Sequence, residues 1–112
     1  MKYACLILLI TALGVLASRT RGGPVSTEAR SATQLYSKNC ASCHGSDGRA
    51  KTFKAKLNHA RNLSDPEWQE RASDERIFNS IMNGKGKMPA YGKKISEPEI
   101  DTLVSYVRGL KK

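Results

Sequence analysis

The 112-residue sequence predicts an all-α fold, three to five helices wrapped around something other than their own side chains. Three observations carry that prediction. Apolar residues recur at helical spacing, most clearly Ile100, Leu103, Val104 and Val107, and no strand pattern is visible. Helix-start signals precede such runs, a Ser-x-x-Glu box at Ser96 and an Asp-Pro pair at Asp65. The apolar supply is also short: fourteen apolar residues lie in Met1–Ala17, and only about a third of the remaining positions are apolar. A single domain of that size and polarity needs a staple, whether disulfides, a metal or a bound group.

The elements follow in chain order. Residues 1–17 have the layout of a secretory signal peptide, with Lys2 in the charged region, an apolar run from Tyr3 to Leu16, and Val15-Leu16-Ala17 as a small-residue cleavage site. The run is shorter than the ~20 residues of a spanning helix, so an uncleaved anchor is the weaker alternative. Residues 18–31, rich in Gly, Ser, Thr and Arg with Pro24, read as a flexible linker, and residues 32–112 as the folded domain. Export places the protein in the periplasm of a bacterium and, on cleavage, removes Cys5. Cys40 and Cys43 are then left, too close together to stabilise a domain as a disulfide.

Further along, Ser64 or Asp65 with Pro66 opens a short helix that carries Trp68, and Ser73 caps a helix over Asp74–Asn83 with Ile77, Phe78 and Ile81 on its apolar side. Gly84–Gly92 is too glycine-rich for a helix and holds Met88 followed by Pro89. The last helix starts at the Ser96–Glu99 capping box and runs to about Leu110. The segment Gly45–Lys56 reads as a loop.

Cys40-Ala41-Ser42-Cys43-His44 is a C-x-x-C-H sequence. On a helical turn residues i and i+3 share a face, so two thiols at that spacing can each add to one of the two vinyl groups of a haem, and the histidine can turn its imidazole toward the iron. A thioredoxin-like redox pair and half of a zinc site completed by His59 are the competing readings. A second axial donor has three candidates. Met82 falls on or beside the apolar stripe of its helix, the place of a gap-filling core methionine. His59, in the basic and polar stretch Lys56–Arg61, has the setting of a solvated residue. Met88 is an apolar thioether between lysines that wants burial.

With that motif placed, Ala32 to Lys112 resembles the class I c-type cytochromes, specifically the small soluble bacterial electron carriers. Tyr36 stands four residues before Cys40 and Ala32 four earlier, matching the aromatic and small residue of the family's first helix, although the family more often has glycine at the latter. The resemblance implies the cytochrome c fold around one haem c, covalently attached at Cys40 and Cys43, with His44 and Met88 as axial iron ligands. It also implies that Tyr106 and Leu103 of the last helix cross the first near Tyr36. Trp68 is a candidate haem contact, with a half-buried core tryptophan as the equal alternative. One departure stands out: the family commonly has a proline a few residues after the histidine whose carbonyl orients the imidazole, and Ser46–Lys51 contains none.

The function implied is that of a soluble monohaem carrier shuttling single electrons between respiratory or photosynthetic complexes, and not an enzyme. The alternatives are a membrane-tethered cytochrome subunit of an oxidoreductase complex and a haem enzyme or gas sensor with a labile sixth ligand. Paired carboxylates such as Asp74-Glu75 sit at helix starts, where the helix dipole accounts for them. The formal net charge is +9, and Lys85, Lys87, Lys93 and Lys94 flank Met88, where the family exposes its haem edge. A positive face there would steer the protein, as a monomer, to acidic docking surfaces on redox partners, the alternative being a merely solvated face. Nucleic-acid binding has no motif behind it. Association with anionic lipid, without integral insertion, stays open.

Overall fold

The computed structural model describes residues 30–112. The expected signal peptide, Cys5 and the linker up to residue 29 lie outside the described residues. Within them the fold is all-helical: α1 (Ala32–Asn39), α2 (Ala41–His44), α3 (Phe53–Asn58), α4 (Pro66–Arg71), α5 (Asp74–Asn83) and α6 (Glu97–Arg108). The described helices number six rather than three to five for two reasons. A single turn, α2, follows α1 with only Cys40 between them, and α3 forms mostly within Gly45–Lys56, the stretch read as a loop. No helix among the described residues is long and apolar enough to cross a membrane.

Except for the single turn α2, each helix starts at a polar side chain that hydrogen-bonds within its first turn. Ser31 and Gln34 form a reciprocal box at α1, with the Gln34 N–H donating to Ser31 Oγ at 3.2 Å and the Ser31 N–H to Gln34 Oε1 at 3.1 Å. Thr52, Asp65 and Ser73 accept from the first turns of α3, α4 and α5. At α6 the Ser96 N–H and hydroxyl both donate to Glu99 Oε2 at 3.1 Å. Helix α6 ends at Arg108, short of the expected Leu110, because the chain turns at Gly109 to reach back across the fold. There Leu110 packs on Gly48, where a Cβ would lie 2.8 Å from Leu110 Cδ1, and the Lys112 N–H donates to the Ser64 carbonyl at 3.1 Å.

The core forms where α1 and α5 meet α6. Leu35, Tyr36, Ile77, Ile81, Ile100 and Leu103 are buried there, while Phe78 is only half-buried. Helices α1 and α6 cross as expected from the resemblance, with the rings of Tyr36 and Tyr106 4.7 Å apart and tilted by 34°.

A polar stitch closes the other end. Buried Gln69 donates through Nε2 to the carbonyls of Leu63 at 2.7 Å and Val107 at 2.8 Å. Arg108 donates to the Gln69 carbonyl at 2.6 Å, to Asp74 at 2.6 Å and to the Ala72 carbonyl. Replacing Gln69 by alanine should orphan the buried Leu63 carbonyl, while that of Val107 keeps the Leu110 N–H, and cost about 2 kcal/mol in chemical denaturation, with the cavity left behind adding to the loss.

Arg30 clamps the start of α6, its Nε and Nη2 each 2.9 Å from a Glu99 carboxylate oxygen. The guanidinium, helped by the Ser96 N–H, holds the Glu99 carboxyl well below its ordinary value, at about 2. A carboxyl depressed in the folded state contributes stability that is fully present above its unfolded value, and loses it as pH falls toward the folded one. Thermal unfolding of the wild type should therefore drop relative to Glu99→Gln between pH ~4.5 and pH ~2, and the two curves should run parallel above that window.

Candidate functional site

Cys40 ends α1 and opens α2, so Cys40, Cys43 and His44 fall on one tight turn. The carbonyls of that turn are capped from distant parts of the chain. Tyr91 Oη donates to the Asn39 carbonyl at 2.9 Å, Thr52 Oγ1 to Cys43 at 2.9 Å, and buried Tyr36 Oη to Gly45 at 2.8 Å. Groups that would otherwise be solvated are thus locked by a tyrosine from α1, the cap of α3 and the loop after Met88, which fixes where the two thiols and the imidazole stand.

The missing partner of His44 is the carbonyl of Arg61, 2.8 Å from Nδ1. The contact assigns the proton to Nδ1 and leaves the Nε2 lone pair for a metal. Burial lowers the pKa of His44, the Arg61 contact opposing it in part, so the imidazole is held neutral. Its position rests on an unusual backbone: the Ala50 N–H donates to the His44 carbonyl at 2.8 Å with Ala50 at φ +54°, and Gly45 and Gly48 are also left-handed.

Cys40 and Cys43 are free thiols, both half-buried. Burial pushes the Cys40 thiol up to about 11, with Cys43 adding to the rise. A redox pair of the thioredoxin kind works through a depressed thiol, so the environment here runs the wrong way for it. Among the described residues no three His, Cys, Asp or Glu side chains gather to hold a metal ion by themselves, which leaves the zinc reading unsupported.

Met88 reaches the same cavity from the other half of the chain. The loop after α5 turns at left-handed Gly84 and Gly86, pairs Lys85 with Met88 through two backbone hydrogen bonds of 2.9 and 3.1 Å, and then returns along the end of α5, where the Tyr91 and Gly92 N–H groups donate to Ile81 and Met82. A Cβ on Gly84 would meet the Met88 carbonyl at 2.7 Å, so only glycine lets the loop fold back this closely. Met82 behaves as a packing residue: its sulfur lies against Gly92 with no room for a Cβ there, and it is not among the cavity-lining residues.

Cys40, Cys43, His44 and Met88 line one cavity of about 480 Å³. Ile77, Ile81, Leu103 and Val107 provide its apolar wall, joined by Tyr36, Tyr91 and Trp68. Trp68 is both half-buried against the core and a lining residue, so the two readings of it are compatible. His59 also reaches the rim, but as the exposed, left-handed C-cap of α3. Arg61 and Arg76 line the cavity without a carboxylate partner among the ion pairs of the described residues, and neither is marked by any sequence motif. Two thiols, a neutral imidazole, a thioether, an apolar wall and cationic side chains suit an iron porphyrin with vinyl and propionate groups.

Comparison with known proteins agrees. Residues 27–107 match the family model described as cytochrome C oxidase, cbb3-type, subunit III. The chain is similar to cytochrome c6 of a Picosynechococcus species, 30% identical over 106 residues that cover 89% of this chain and 90% of that protein. It is also 32% identical over 83 residues to the cbb3-type cytochrome c oxidase subunit FixP of Azorhizobium caulinodans, covering 73% of this chain but only 27% of FixP, so it spans about a quarter of that relative. Among solved structures, the c-type cytochrome KustC0563 superposes with a TM-score of 0.68 at 38% identity, over 74% of this chain and 100% of the other.

Proposed function

The chain belongs to the class I c-type cytochromes, with one covalently bound haem c, and from that premise we propose that it shuttles single electrons between respiratory or photosynthetic complexes. The observation that carries the reading is the convergence of Cys40, Cys43, His44 and Met88 on one largely apolar cavity. When bound, the haem supplies a one-electron iron couple.

The residues do the rest. Cys40 and Cys43 tether the group through thioether bonds. His44, its Nδ1 proton tied to the Arg61 carbonyl, presents Nε2 to the iron in a fixed orientation. Met88 would hold the iron through a soft sulfur, which raises the potential. With His44 and Met88 both serving as ligands, the iron would offer neither oxygen nor substrate a place to bind, and no residue would be needed as a catalytic acid, base or nucleophile. Trp68 packs on the haem, and Arg61 and Arg76 compensate its propionates. Lys85, Lys87, Lys93 and Lys94 steer the carrier to acidic surfaces on its redox partners. The protein works as an exported periplasmic monomer after loss of residues 1–17.

The optical spectrum of the holoprotein tests the core of this reading. It should be low-spin, with the far-red charge-transfer band of ferric iron bound to methionine sulfur, and the reduced protein should not bind carbon monoxide. A high-spin spectrum or ready carbon monoxide binding would replace the carrier with a haem enzyme or gas sensor. The similarity to FixP and to the cbb3 subunit family favours a second arrangement, a tethered cytochrome subunit of an oxidoreductase complex. The mature N-terminal residue separates the two, since a chain still starting at Met1 is anchored.

A further inference from the structure

Helix α3 is inside out. Its buried residue is Ala55, while Phe53 and Leu57, one turn apart, are 76% and 56% exposed, the two large apolar side chains among the described residues left in water. Single exposed apolar residues are ordinary, so the pair matters for its surroundings. Acidic residues of the described chain fall at Asp47, between Asp65 and Glu75, and between Glu97 and Asp101. Two segments, Gly48–Ser64 and Arg76–Ser96, therefore carry five basic residues each and no acidic one. The fold draws them together: Lys87 Nζ donates to the Leu57 carbonyl at 2.9 Å, and the residues after Leu57 line the haem cavity together with those around Met88. Lys51, Lys54, Lys56, Lys85 and Lys87 take no part in the ion pairs of the described residues.

We infer that Phe53 and Leu57 are the apolar anchor of the electron-transfer docking face, and that the face takes a partner protein presenting an apolar hollow rimmed by carboxylates. The inference rests on the carrier reading above and names the contact that reading leaves open. Lysines alone steer at long range and are screened by salt, whereas an apolar pair interleaved with Lys54 and Lys56 and reached by Lys87 adds contact that salt does not remove. The lysine rim selects the charge of the partner. A lipid surface is the poorer occupant, because a six-residue helix with two outward apolar side chains lacks the continuous apolar face that inserts into a headgroup layer.

The test uses the holoprotein at gold electrodes coated with alkanethiols ending in carboxylate only, or in an equal mixture of carboxylate and methyl, the mixed layer standing for the partner surface. The double variant Phe53→Ser/Leu57→Ser removes the anchor, and both side chains stand clear of the core, so the haem spectrum and thermal unfolding should be retained. Electron exchange at the mixed layer should fall about tenfold in the variant, while exchange at the all-carboxylate layer and with dissolved hexacyanoferrate stays unchanged. Equal wild-type and variant rates at the mixed layer would overturn the anchor. A wild type that fails even with hexacyanoferrate would strike the carrier reading instead. Co-sedimentation with phosphatidylglycerol vesicles, or self-association in the ultracentrifuge, that the variant loses would assign the pair to lipid or to a second copy and overturn protein docking.

Discussion

Replacing Met88 by alanine should erase the far-red band of thioether-bound ferric iron, open the iron to carbon monoxide, and lower the midpoint potential by on the order of 0.1–0.3 V, since the axial ligand is a dominant lever on haem potential. The size of the effect follows from how the loop is built. Met88 is held by its two backbone bonds to Lys85, by the left-handed turns at Gly84 and Gly86, and by the return of Tyr91 and Gly92 along α5. Of the other residues at the cavity, His59 stands at the rim as the exposed, left-handed C-cap of α3. Met82→Leu is the control. Its sulfur packs against Gly92, so that variant should keep the band and lose at most about 1–2 kcal/mol of stability. Loss of the band in Met82→Leu and survival in Met88→Ala would reverse the ligand assignment.

The double variant Cys40→Ser/Cys43→Ser, which cannot attach haem, should be largely unfolded, with the helical circular dichroism signal reduced by more than half and no cooperative melting transition. The magnitude can be bracketed. Emptying a cavity of about 480 Å³ at about 24 cal/mol per Å³ corresponds to ~12 kcal/mol, comparable with the entire stability of a small domain. Leu103, Val107, Ile77 and Ile81 face that cavity as well as one another, so its collapse would dismantle the same contacts that hold α5 and α6. A double variant that melts cooperatively without haem would show that the polypeptide core suffices by itself.

Much of the fold is legible locally. Helix α5 has the bounds read from Ser73 and Asn83-Gly84, and α6 the start read from Ser96–Glu99, because caps and glycine stops act within a turn of the residues that encode them. Helix α3 escapes such reading because its pattern is inverted: the outward face holds Phe53 and Leu57, and the inward face little more than Ala55. Thr52 as a cap is the one local sign of it. The partner of His44 was equally hidden, since any residue's carbonyl can serve and the choice of Arg61 depends on where the loop from Gly45 to Ala50 delivers the chain.

Composition and short spacing alone suffice for the covalent attachment and for the capped starts of α4, α5 and α6. A C-x-x-C-H turn, a thioether in a glycine-rich loop and a deficit of apolar residues are properties of composition and short spacing, and they point to a haem whatever the path of the chain. How the site is held depends instead on the three-dimensional path of the chain. Tyr91, Thr52, Tyr36 and the Arg61 carbonyl reach the attachment turn, and Lys87 binds the Met88 loop to α3 across 30 positions. Such contacts join groups that are common everywhere in the chain. Their identity is set by where the backbone brings them within about 3 Å of one another, which no local pattern encodes.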